Sequence, residues 1–274
     1  MMRWCLAFVA ASCLCAGPAD ARDERIDQNR LSALPPADVV LLGEVHDNPL
    51  HHENQATAVA ALRPAALVFE MFTEAQALAL RPEMLVDQAA LEQALGWEES
   101  GWPDFDLYFP IFEGAPGAAV FGGGAPHEAA RAAVGEGAEA AFGAAGTIFG
   151  LDLALDDRER SKREAMQMAA HCDALPPEMM RGMVEAQRLR DAVLARAVIA
   201  AFQDTGGPVA VITGNGHARN DWGVPRMLRR AAPELRVLTV GQLETAPERS
   251  APFDLWLVSD APERADPCAA FNKD

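Results

Sequence analysis

Short, continuous apolar runs of strand-favouring residues recur along this chain, separated by stretches with helical periodicity. Val39-Val40-Leu41-Leu42 and Ala66-Leu67-Val68-Phe69 are the clearest early runs, and Val209-Ala210-Val211-Ile212-Thr213 is the strongest later one. Ala118-Ala119-Val120-Phe121 is weaker; Arg236–Val240 and Asp254–Val258 complete the set. A run apolar at every position suits a strand buried on both faces, the situation in a parallel sheet covered by helices. Alternation of strand and helix patterns points the same way. The expected fold class is α/β: a mainly parallel sheet flanked by helices, with a smaller helical insertion.

Asn48-Pro49 has the form of an N-cap followed by proline at the first helical position, and Arg63-Pro64 ends that helix near Leu62. Asp156 to Ala170 is charged and helical in pattern. Pro177 to Phe202 gives the best helix, with Met180, Met183, Gln187, Arg190, Leu194, Ala197 and Ala201 at three- and four-residue steps. Between Glu113 and Gly146 the chain is rich in Gly and Ala and specifies its elements weakly. Residues 22–274 are expected to form one domain, with a helical subdomain at about 127–205.

The first 21 residues read as a secretory leader. Arg3 precedes the apolar run Trp4–Ala16, and Ala19-Asp20-Ala21 supplies a small-residue cleavage signal before Arg22. That run is too short for a membrane helix, which needs about 20 residues. Lipid anchoring through Cys13 or Cys15 is the less favoured alternative, and a periplasmic or secreted location follows. Cys172 and Cys268 then face an oxidising compartment, where they form either a disulfide or two buried thiols. A formal net charge of −17 argues against nucleic acid and against anionic membrane surfaces. No later segment is apolar and long enough to be transmembrane, and a homodimer is left open.

The chemistry-bearing residues stand directly after strands. Glu44 and His46 follow the first run, Glu70 the second, and His217 lies four residues beyond Thr213. In an open parallel sheet such positions face the ligand crevice at the carboxyl ends. Two carboxylates and two imidazoles suit either a divalent metal ion or acid–base work. Glu44, His46, Glu70 and His217 are thus the candidate catalytic residues and the candidate metal ligands. His51 and His52 open the following helix, and a surface position is favoured for one of the two. Asp47 is placed either to orient His46 or to bind helix N–H groups. His127 and His171 stand alone.

At these residues the chain resembles a known family. Leu41-Leu42-Gly43-Glu44-Val45-His46-Asp47-Asn48-Pro49 with His51-His52 resembles the opening motif of the ChaN-like haem-binding uptake family, part of the Tiki and erythromycin-esterase-like superfamily. Glu70-Met71-Phe72 with Gln76 is similar to its second motif; Trp97, Trp102 and Tyr108-Phe109-Pro110 resemble its aromatic stretch. Ala186-Gln187-Arg188-Leu189-Arg190-Asp191 and Gly214-Asn215-Gly216-His217 are similar to the closing helix and last motif. The resemblance implies haem as ligand and a role in haem or iron uptake at the cell envelope. It also implies a tyrosine axial ligand; Tyr108 is the single tyrosine and so the candidate. The alternatives are a metal-dependent hydrolase built on the Glu/His site and a non-catalytic envelope protein.

Overall fold

The computed structural model describes residues 23–266 and 268–269. The expected leader, with Cys13 and Cys15, lies outside the described residues. Among the described residues, seven strands form one sheet: β1 (Glu24–Arg25), β2 (Val39–Glu44), β3 (Ala66–Thr73), β4 (Ala119–Gly124), β5 (Val209–Gly214), β6 (Val237–Leu243) and β7 (Leu255–Val258). Their order is β1-β7-β6-β2-β5-β3-β4, and every pairing is parallel. The α/β expectation therefore holds, with β1 as a two-residue addition that no apolar run announces.

Residues along each strand alternate between two cores. Val40, Leu42, Leu67, Phe69, Ala210 and Ile212 face one side, against helix Pro49–Leu62 and a layer of Trp97, Phe105, Tyr108 and Phe112. Val39, Leu41, Ala66, Val68, Val209 and Val211 face the other, against the long helix Met180–Thr205 and helix Val224–Ala231. The crossover leaving β2 thus runs along one face toward β3, while the crossover leaving β5 runs along the other toward β6. The chain changes direction between β2 and β5, which opens a crevice beyond the ends of those two strands.

Local chemistry sets the ends of the elements that matter for that crevice. The Asn48 side chain accepts a hydrogen bond from the Leu50 N–H at 3.1 Å, Pro49 follows at the first helical position, and Arg63 closes the helix in a left-handed conformation. The helices of residues 127–205 belong to the crossover between β4 and β5. Helix Met180–Thr205 packs on β3, β4 and β5 and is covered in turn by helices His127–Glu136 and Asp157–Ala170. It is consequently buried on more than the single face its periodicity suggests: Val184, Arg188, Leu189 and Asp191 are all enclosed, while Arg190 is exposed. Cys172 and Cys268 form a disulfide. Among the described residues, no helix is long and apolar enough to cross a membrane.

Candidate functional site

Glu44, the last residue of β2, is buried with 2% of its surface exposed. Its Oε1 accepts from His46 Nδ1 at 2.7 Å and from the Tyr108 hydroxyl at 3.2 Å. Its Oε2 lies 3.3 Å from His52 Nδ1, and the other nitrogen of His52, Nε2, donates to the His46 carbonyl at 2.8 Å. His51 Nδ1 accepts the Val45 N–H at 2.9 Å, so its proton sits on Nε2. Burial holds the His51 pKa down to about 4, which keeps the ring neutral. Both His51 and His52 are therefore enclosed, which corrects the surface position favoured for one of them. The loop carrying Val45 and His46 folds back over the helix start, and its backbone groups take these imidazoles as partners. Asp47 turns outward and pairs with Arg264 instead of orienting His46 or capping the helix.

The second group is built on Glu70, within β3. Its Oε2 accepts from the Thr213 hydroxyl at 2.6 Å and the Gly214 N–H at 2.8 Å, and its Oε1 lies 3.2 Å from His217 Nε2. The Nδ1 of His217 bonds Asp191 Oδ1 at 2.6 Å, and the Gln187 amide stands at 3.3–3.4 Å from the same ring. Burial opposes charge on His217, but the fields of Glu70 and Asp191 prevail and raise its pKa to about 10. Burial likewise opposes charge on Glu70, and His217 holds that carboxyl far below its ordinary range. The result is a buried imidazolium between two carboxylates.

The two groups meet at Gly214. A Cβ there would stand 2.7 Å from His46 Nε2 and 3.7 Å from Glu70 Oε2, so only glycine admits this approach. His46, whose ring lies 4.7 Å from that of Trp102 at a tilt of 52°, is the one histidine of the site with an appreciable outlet, its side chain being 31% exposed. Burial opposes its charge; the hydrogen bond to Glu44 and the fields of Glu70 and Glu44 raise its pKa. With Nδ1 held by Glu44, His46 Nε2 is the atom able to exchange a proton with a ligand, and His217 supplies a fixed positive charge beside it.

Asp191 and Gln187 carry no site role in the sequence pattern, although their four-residue spacing on one helix places them on one face. That spacing is the signal that could have found them. Beyond Glu70 the crevice opens into a cavity of about 410 Å³, lined among others by Gln76, Trp102, His127 and Arg190. No group of three or more His, Cys, Asp or Glu side chains is arranged to hold a metal ion among the described residues. Glu44 and His46, and Glu70 and His217, are paired with each other instead.

Residues 31–228 match the family described as "Haem-binding uptake, Tiki superfamily, ChaN". The chain belongs to that family. Among solved structures, it is similar to ChaN of Campylobacter jejuni, described for cofacial haem binding. The TM-score is 0.62 at 16% identity, covering 83% of this chain and 90% of that one. The type III effector HopBA1 follows at a TM-score of 0.43 and 16% identity, covering 82% and 88%. No curated protein sequence matches the chain. At this identity the Campylobacter protein shows that the ChaN fold is shared.

Tyr108 does not fit the ligand role that the family resemblance implies. It is fully buried among Trp97, His52 and the surrounding core, and its hydroxyl donates to Glu44. Burial, then the negative charge of Glu44, pushes the phenol pKa well above its ordinary value. Iron ligation needs a phenolate, which this environment opposes.

Proposed function

We propose that this chain is an exported haem-binding protein acting in haem or iron uptake. Membership of the ChaN family over residues 31–228 carries the proposal. The Cys172–Cys268 disulfide supports an oxidising compartment and hence export. Haem is cargo here, and the crevice offers groups of the right chemistry on its rim. His127 is an exposed imidazole able to ligate iron, Arg190 an exposed cation able to meet the propionates, and Trp102 an aromatic surface. Titrating the purified protein with haem is expected to give a saturable, shifted Soret band at micromolar haem. Tyr108→Phe should leave that band unchanged, because its hydroxyl faces Glu44. Absence of any spectral change in the wild type defeats the haem reading.

A second reading rests on a different observation, the arrangement of His46 Nε2 beside a buried imidazolium. That is an acid–base site suited to hydrolysis, with His46 moving the proton and His217 stabilising negative charge. If it operates, a chromogenic acetate ester should be hydrolysed, and His46→Ala should slow that reaction by roughly 10²–10⁴-fold. Equal rates for the two proteins remove this reading without touching the first.

A further inference from the structure

The chain beyond β7 runs along the carboxyl edge of the sheet and is tied down at several points. The Ser259 N–H donates to the Leu243 carbonyl at 2.9 Å, and the Asn48 amide donates to the Asp260 carbonyl at 3.0 Å. Arg264 then forks onto two carboxylates. Its Nη1 donates to Glu244 Oε2 at 2.7 Å, its Nη2 to Asp47 Oδ1 at 2.9 Å, and its Nε lies 2.8 Å from Asp47 Oδ2. Four residues further on, Cys268 is bonded to Cys172, just past the end of helix Asp157–Ala170. Four residues of chain span at most about 14 Å, so the end of that helix is kept close to Asp47.

These anchors stand on opposite flanks of the crevice. Asp47 directly follows His46 in the loop that leaves β2 for one face of the sheet. Helix Asp157–Ala170 belongs to the other face: with Met166, Gln167 and Ala170 it borders Gln187 and Gly216, and Gln187 reaches the His217 ring. Residues 259–266 with Cys268 therefore join the flank that carries His46 to the flank that backs His217. The Arg264–Asp47 pair is partly exposed, and an ion pair of that kind holds little by itself. The disulfide keeps the fork in front of Asp47 by making their encounter intramolecular over a short span. Both cysteines are half-buried, within reach of a small reagent. Cys172 and Asp173 also hold left-handed backbone, at φ 59° and 53°, a conformation that is costly without glycine and persists where the surroundings impose it.

We infer that this segment is a strap across the crevice, fastened by Cys172–Cys268, and that a dithiol unfastens it and lets the two flanks separate around His46. One thiolate of the dithiol attacks a sulfur of the cystine, forming a mixed disulfide and releasing the other cysteine as a thiolate. The second thiol of the reagent then displaces the cysteine still bound to it. Two electrons pass from the dithiol to the chain, which ends with two thiols, while the reagent ends as a disulfide.

Carbethoxylation by diethyl pyrocarbonate, followed by peptide mass spectrometry at fixed pH, reads access to His46 in the folded protein. His127, already exposed, serves as the internal standard. Reduction with dithiothreitol is expected to raise the His46 rate about fivefold by freeing a local opening, with His127 unchanged and the buried His51 and His52 still unreactive. Cys268→Ser should give the same rate without reductant. Arg264→Ala strikes the other anchor with the disulfide intact. The nearest tie is then Asp260, eight residues from Cys268, a slack of up to about 29 Å, and a similar rise is expected. A strap is cut only once, so the double variant should react no faster than either single one. An unchanged His46 rate after both thiols titrate as free would overturn the proposal. So would additive effects of the two substitutions, which would make the anchors independent. New reactivity at His51 and His52 would also overturn it, the disulfide then being a staple of the whole fold.

Discussion

Replacing His217 by alanine is expected to destabilise the fold by about 3–5 kcal/mol near neutral pH, the penalty for removing one member of a buried ionic network. The variant leaves Glu70 and Asp191 facing each other across a hole, Asp191 fully enclosed and Glu70 mostly so. The pH dependence follows from His217 itself. Its pKa rises from 6.5 to about 10 on folding, so its contribution is fully present below pH 6.5 and disappears as pH climbs through 10. The stability gap between wild type and His217→Ala should therefore be widest below pH 6.5 and narrow steadily toward pH 10, as urea unfolding at several pH values would show. The depressed Glu70 pKa is the same ion pair seen from its other partner and adds nothing further. If His217 served only to hold a metal ion, the metal-free variant would melt almost normally. Near-normal melting would thus discard the ionic network as the organising feature of this site.

The sheet was legible in the sequence because strands buried on both faces leave continuous apolar runs. β2, β3 and β5 start where the runs that announce them start, and end two, four and one residues beyond them. β1 was not legible: two exposed charged residues pair with β7 through backbone groups alone, which leave no mark on side-chain pattern. The position of Glu44 could be read from its strand end, whereas Glu70, expected just after the second run, lies within β3, whose pairing continues to Thr73. What surrounds the site residues could not be read. Tyr108 reaches Glu44 across 64 positions of chain, and Asp191 reaches His217 from a different element. Both contacts depend on how helices lie over the sheet, not on local spacing. The burial of His51 and His52 follows from a loop folding back onto its own helix, a conformation that no periodicity encodes.

Arg188→Met is expected to lower the melting temperature by roughly 6–20 °C, taking a loss of about 3–5 kcal/mol and about 2–4 °C per kcal/mol for a domain of this size. Arg188 is 7% exposed and holds two parts of the β4–β5 crossover together. Its Nη1 donates to both carboxylate oxygens of Glu185 at 2.9 and 3.1 Å. Its Nη2 reaches the carbonyls of Gly150, Leu151 and Leu153 at 2.8–3.2 Å. Methionine fills a similar volume but offers no donor, so these carbonyls and the partly buried Glu185 lose their partner together. The loss also bears on function, because Arg188 shares its helical turn with Gln187 and Asp191, the residues that hold His217. Arg188→Lys retains one charged donor group without the fork and should recover part of the stability, which separates hydrogen bonding from packing. Differential scanning calorimetry of both variants decides the matter. A methionine variant melting within about 2 °C of wild type would mean that the clamp contributes less than about 1 kcal/mol, and that packing of the long helix on β3 and β4 positions Asp191 unaided.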